Sequence, residues 1–288
     1  QAFATWVDEN VSFPNSMVDR ITPATTNEDI ATLRAQGVED AWPVVCEPFD
    51  QWVIEDDFCN TKPCLDLVGA QFVSDVAPYE KLKLRMLNAG HSVLGLVGSV
   101  AGLETIHESV EAKQLKRLLS IFMEQEVMPT LDPVEGIDVY EYRDTLLSRF
   151  SNPFIKDTLA RICLESSAKL PVFLFPTVRD NLAANRDTDI SALVVACWAF
   201  YSDRHASQDG KSLEINDVLA DKLHNAASNN QIDSLSFLML EEVFGKLVDE
   251  ARFTASFQGF VERLYQQEPV LLISEKVANN KLELARAC

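Results

Sequence analysis

The sequence predicts a mainly α-helical protein, with a small mixed α/β segment over residues 1–78 followed by an all-helical domain over 79–288. Two observations predict it. Up to Pro78, apolar residues come in short alternating runs punctuated by Pro, Asn and Asp. From Tyr79 onward they recur every three to four residues over much longer stretches, the period of a helix with one buried face.

In the first segment, Val11-Ser12-Phe13-Pro14 reads as a strand entering a turn at Asn15-Ser16, and Ile30 to Ala35 as a short helix after Asn27. Trp42 to Cys46 and Gln51 to Ile54 read as two strands joined by Glu47-Pro48-Phe49-Asp50, and Ala70 to Val73 as one more. In the second, Glu104 to Gln125 reads as one long amphipathic helix stopped near Pro129, and Tyr140 to Phe150 as another. Asn152 then Pro153 reads as a cap and first helical position, opening a helix that runs to about Ala168 and ends before Pro171. Helices follow over 190–201, 215–226, 235–248, 251–265 and 270–277. Gly95, Gly98 and Gly102 are small residues that let a neighbouring helix come close.

With 288 residues the chain can bury a sizeable core as one large or two modest domains. Its net charge of −19 argues against nucleic acid and anionic membranes as partners and leaves a neutral or locally recognised small molecule. No apolar run is long enough to span a bilayer, and the N-terminus lacks a signal pattern. The six cysteines are scattered, with only Cys59 and Cys64 close, as expected of reduced thiols in a cytoplasm. Nothing in the pattern demands an oligomer, and a monomer is consistent with it. No Gly-x-Gly-x-x-Gly, P-loop, His-Glu-x-x-His or Gly-x-Ser-x-Gly occurs.

The chemistry concentrates in Tyr79 to Ser92. At about 100° per residue, Lys83, Asn88 and His91 fall within an arc of roughly 140°, with Glu80 inside it, while Leu82, Met86 and Val93 take the other side. An amine whose pKa is lowered by burial can take a proton, an amide can donate to an oxyanion, and an imidazole can bond a hydroxyl. A solvated polar face is the alternative. A shared metal fits worse, since Lys83 and His91 stand roughly 12 Å apart along such a helix.

Lys83, Asn88 and His91 form a Lys-x4-Asn-x2-His pattern that resembles the signature of the polyol-specific long-chain dehydrogenases, the family of mannitol 2-dehydrogenase. Asn15 to Pro23, Arg149 to Pro153, and Arg161-Ile162-Cys163 leading to Lys169-Leu170-Pro171 are similar to the same family, in order and over nearly the whole chain. The resemblance implies a helical domain like the C-terminal domain of 6-phosphogluconate dehydrogenase. It implies metal-free interconversion of a polyol such as mannitol and a ketose such as fructose, with NAD or NADP bound mainly by a domain upstream of this sequence. Lys83 becomes the general base, Asn88 the oxyanion donor and His91 a substrate ligand. Glu80 passes the proton to water or is an ordinary surface partner of Lys83. Arg161 and Lys169, read as one face of one helix, together with Asp19 and the backbone of Val18, become substrate contacts. The alternatives for these are a solvated basic stripe and a surface ion pair of Asp19 with Arg20. Arg149 and Asn152 are read as structural. Hexuronate reductases for mannonate or altronate, an arabinitol dehydrogenase, and a non-enzymatic helical binding module remain open readings.

Overall fold

The computed structural model describes residues 2–287, with side chains placed through Ala278, so the Cys288 thiol lies outside the described residues. Two compact units are present: residues 1–83 with 132–137, and residues 84–131 with 138–288.

The first unit opens with helix α1 (Ala2–Asn10), which the sequence reading did not foresee. Strand β1 (Ser16–Asp19) follows, then α2 (Asn27–Ala35), started by a reciprocal cap between Thr26 and Asp29. Strands β2 (Gln51–Glu55) and β3 (Gln71–Val73) and helix α3 (Ala77–Lys83) complete it. The sheet runs β1-β2-β3, with Val18 opposite Trp52 in the antiparallel pair and Ile54 beside Phe72 in the parallel one. Two expected strands are absent. Val11 to Pro14 is irregular and the strand lies two residues beyond it. Trp42 to Cys46 stays irregular because Trp42 and Val44 face solvent and the next residue, Glu47, ties this segment to Ile21. Its carboxylate accepts from Ile21 N at 2.6 Å and its own N–H reaches Ile21 O at 3.1 Å. Residues 132–137 are held to α3 by Tyr79 Oη donating to Glu135 O at 3.0 Å and by Lys81 pairing with Asp132 at 2.7 Å.

The second unit begins with a wide π-turn (Leu84–Asn88) leading into α4 (Ala89–Val100). The long run expected over 104–125 is broken at Ala112, whose extended backbone separates α5 (Ile106–Glu111) from α6 (Lys113–Ile121). A second π-turn (Phe122–Val127) follows α6. After α7 (Val139–Phe150), the expected cap at Asn152 fails: its side chain accepts from Phe154 N in a local turn. Thr158 caps instead, starting α8 (Leu159–Cys163), and Glu165 at φ 51° then stops the helix. Helix α9 (Ser166–Phe173) carries Pro171 inside it, because burial of Leu170 and Leu174 outweighs the lost backbone bond, and α10 (Phe175–Ala183) follows.

Helix α11 (Asp189–Arg204) is buried almost all round, and α12 (Ala220–Ser228) packs against it. The start expected at Ile215 is delayed because the Asp217 carboxylate holds Ser167 N at 2.8 Å and Leu219 N at 2.9 Å. The helix expected over 235–248 is broken into short turns around α13 (Glu241–Phe244), since Gly245 adopts φ 58°. Helices α14 (Ala251–Gln266) and α15 (Pro269–Ala287) close the chain. No helix among the described residues is long and apolar enough to cross a membrane.

Two contacts set this scaffold. A Cβ on Gly95 would lie 2.8 Å from Ile162, and one on Gly98 only 2.6 Å from Ser109 Oγ and 2.8 Å from Leu159, so these glycines let α8 lie close against α4. Gly102 serves differently, turning the chain at φ +87°. Glu126, in the second π-turn and fully buried, takes the N–H groups of Ile190 and Ser191 at 2.6 and 3.1 Å and the Ser191 hydroxyl, tying that turn to the start of α11.

Gly98→Ala is expected to destabilise by about 1–3 kcal/mol through overpacking. Gly259→Ala, at an exposed α14 position where a Cβ meets nothing within 4 Å, should stabilise by about 1 kcal/mol. Thermal unfolding of the two variants should therefore shift in opposite directions. Burial pushes the Glu126 carboxyl up to about 8, against the pull of its donors. Because the folded state holds that proton more tightly, this contribution to stability is complete below the ordinary value of 4.5 and is lost as pH rises through about 8. Tm of the wild type should accordingly fall relative to Glu126→Gln as pH rises from 5 to about 8.

Candidate functional site

Within the first unit, Lys83 is the last residue of α3 and half-buried, and its amine makes no hydrogen bond or ion pair among the described residues. Glu80, one turn earlier, is exposed and forms no ion pair with it. Val18 and Asp19 point to opposite faces of β1, Val18 outward and Asp19 into the interior. Arg20 does not pair with Asp19. It reaches Asp50 at 3.5 Å and Glu47 O at 3.0 Å.

In the second unit, the π-turn and α4 carry Asn88 and His91. The expected apolar back is present, with Leu82, Met86 and Val93 buried, but the regular 100° spacing is not, because the π-turn takes up an extra residue between Leu84 and Asn88. Asn88 is half-buried, and its Oδ1 has no hydrogen-bond partner among the described residues. The His91 ring lies over Phe150, centroids 4.5 Å apart, which limits how the imidazole can turn.

Arg161 and Lys169 stand on α8 and α9, not on one helix, because Glu165 turns the chain between them. They are nonetheless brought together: Arg161 lies close enough to help lower the Lys169 pKa, with burial as the larger cause. The Lys169 amine donates to Ile162 O at 3.2 Å. The Arg161 guanidinium gives Nε and Nη2 to the buried Asp157 carboxylate, a contact that raises its pKa against the opposing effect of burial. Asp157 was missed in the sequence, although an acid four residues before an arginine is a visible helical pair. Helices α8 and α9 both pack on α4.

The neighbouring Cys163 and Cys197 thiols are buried, and burial pushes each up to about 12, so neither is a nucleophile here. His107 and His224 direct Nδ1 to the carbonyls of Ser151 and Ser202, each at 3.0 Å, as packing residues do. No group of three or more His, Cys, Asp or Glu among the described residues is arranged to hold a metal. The sequence has no glycine-rich phosphate loop.

An amide at the head of α4 and an imidazole on it, with a guanidinium and an amine on the two helices packed against it, define a class: a helical domain that carries polar side chains on packed helices. Comparison with known proteins makes the class particular. The family profile described as mannitol dehydrogenase C-terminal domain matches residues 75–265, and that described as mannitol dehydrogenase Rossmann domain matches residues 1–67. The chain is 40% identical to mannitol 2-dehydrogenase of Pyrenophora tritici-repentis over 96% of its own length and 49% of that protein's. It is 39% identical to mannitol dehydrogenase DSF1 of Saccharomyces cerevisiae, over 96% and 55%. The solved structure of Pseudomonas fluorescens mannitol 2-dehydrogenase in ternary complex with NAD and D-mannitol superposes with a TM-score of 0.89 at 38% identity, over 96% of this chain and 56% of that one. A substrate-free D-sorbitol dehydrogenase gives 0.85 at 33%, over 93% and 55%. The chain belongs to the mannitol dehydrogenase family, and it spans about half the length of the curated relatives it matches.

Asp157→Asn removes the charge that holds Arg161 while nearly preserving side-chain volume. It should lower stability by about 1–3 kcal/mol, read from the urea midpoint.

Proposed function

We propose that this chain is the substrate-binding and catalytic part of an NAD(P)-dependent, metal-independent polyol dehydrogenase that interconverts mannitol and fructose. In this reading residues 79–288 are the substrate-binding and catalytic domain, and 1–78 the remainder of the dinucleotide-binding half. The reading is supported by membership of the family and carried by one observation: the half-buried Asn88 side chain keeps its Oδ1 without a hydrogen-bond partner among the described residues.

During polyol oxidation the Lys83 amine takes the proton of the reacting secondary hydroxyl. The nicotinamide, when bound, accepts the hydride that leaves the same carbon. Asn88 donates to the oxygen on which charge develops, and His91 holds an adjoining hydroxyl against the fixed face of Phe150. Glu80, exposed one turn from Lys83, passes the proton to water. Arg161 and Lys169 bind further hydroxyls, with Asp19 and the Val18 backbone contributing from β1.

The state of the two basic groups favours a neutral polyol over a hexuronate. Arg161 is already neutralised by Asp157, and Lys169 is turned to a backbone carbonyl. A substrate carboxylate would therefore meet no free guanidinium fork. The free thiols at Cys46, Cys59 and Cys64 suit a reducing cytoplasm.

The test is made on the complete enzyme, including the half that the relatives carry and this chain does not. NADH oxidation should be faster with fructose than with fructuronate and indifferent to chelators; the reverse preference would overturn the substrate assignment. Lys83→Ala should lower turnover by about 10²–10⁴-fold with only a modest change in the apparent ketose affinity. Near-normal turnover in Lys83→Ala would show that the base is elsewhere.

A further inference from the structure

The π-turn that ends at Asn88 is the least regular part of the helix that carries the site. A π-turn is a rare, poorly favoured conformation in the middle of a helix, and it persists where surrounding structure holds it. What holds this one is a charged group. Arg85 lies inside the turn and is itself buried, 8% exposed, although arginine is seldom found so deep. Its Nη1 donates to Asp180 Oδ2 at 2.6 Å and extends to Thr130 O at 3.5 Å. Met86 and Leu87, the next residues of the turn, are packed into the core.

Asp180 belongs to α10, and the residue after it completes the pattern. Asn181, fully buried, donates Nδ2 to Glu126 O at 2.7 Å in the second π-turn, and its Oδ1 is fixed by Arg186 Nε at 2.8 Å. Consecutive residues of α10 thus grip the two π-turns of this unit, Asp180 through the Arg85 side chain and Asn181 through a backbone carbonyl. The ion pair is directional: the guanidinium is nearly enclosed, whereas the Asp180 carboxylate is about half exposed, so the pair positions Arg85 without burying both charges. Arg85 lies within the Tyr79 to Ser92 stretch, but neither it nor Asp180 is read from the sequence as a site group.

We propose that the Arg85–Asp180 pair is a positioning device for the substrate-facing side of α4: it holds the π-turn in the geometry that presents the Asn88 amide and the His91 imidazole. This rests on the reading of Asn88 as a substrate-binding residue. Arg85 touches no substrate in this scheme and acts through Asn88. Release of the turn would let the helix relax toward regular α-geometry, which rotates each following side chain by up to about 100° about the axis.

The experiment is a double-mutant cycle on kcat/KM for polyol oxidation by the complete enzyme, using Arg85→Met and Asn88→Ala. Arg85→Met should lower kcat/KM by about 10–100-fold, with the dissociation constant for NADH unchanged and with Arg85→Lys recovering most of the loss, since Lys keeps the charge that Asp180 grips. In the Asn88→Ala background the same Arg85→Met change should cost at least about fivefold less than in the wild-type background, because one of the two groups it positions is already gone. A purely structural arginine would instead give losses that multiply. If Arg85→Met yields too little folded protein, Asp180→Asn is read through the same cycle with the same expectation. Multiplied losses, or wild-type kcat and KM in both Arg85→Met and Asp180→Asn, overturn the positioning role alone. Wild-type kinetics in Asn88→Ala overturn the site reading and the positioning role with it.

Discussion

The helical unit depends on one buried carboxylate. Helix α11 is apolar on every side and makes its own backbone bonds, but the N–H groups of its first turn have no partner within the helix. Glu126 supplies one, reaching Ile190 and Ser191 from a different segment of the chain. This satisfies donors that would otherwise be buried unpaired and fixes where α11 begins. Helices α4, α12 and α14 all pack on α11, so the placement of α4 is referred to this contact. The same carboxylate is why that arrangement has a pH dependence at all.

Around that axis the unit uses two complementary devices. Where helices must approach, the side chain is removed: Gly95 and Gly98 leave room for Ile162 and Leu159, which brings the helix bearing Arg161 against α4. Where a side chain must be re-aimed, the backbone is widened: π-turns at Leu84–Asn88 and Phe122–Val127 each absorb an extra residue. Both irregularities carry a conformational cost, and both are over-determined by α10 and by buried neighbours. Asn88 and Glu126, the two polar residues that matter most in the unit, each sit inside or at the end of a widened turn.

Charge at the site is arranged rather than accumulated. Arg161 and Lys169 stand near one another on a strongly acidic protein, yet the first is matched by Asp157 and the second is directed to a carbonyl. The result is a pair of oriented donors of which Arg161 alone is matched by a carboxylate.

The helical class, the apolar back formed by Leu82, Met86 and Val93, and the close approach at Gly95 and Gly98 were legible in the sequence. Periodicity and side-chain size act locally, and they survive whatever the rest of the chain does. The Lys83, Asn88 and His91 pattern was legible as a motif for the same reason. Tertiary structure alone decided the rest. A helix across Asn152 to Ala168 is sound by propensity, but Asn152 turns onto Phe154 N and Glu165 reverses the chain, so Arg161 and Lys169 meet across two helices. Trp42 to Cys46 has strand composition but no strand to pair with, and so stays irregular. The π-turns were invisible because what stabilises them is distant in sequence: Arg85 is answered by Asp180 and Glu126 by Ser191. Sequence determined which residues could line a polar helix face, whereas long-range hydrogen bonds to buried polar groups decided where along that helix the face turns.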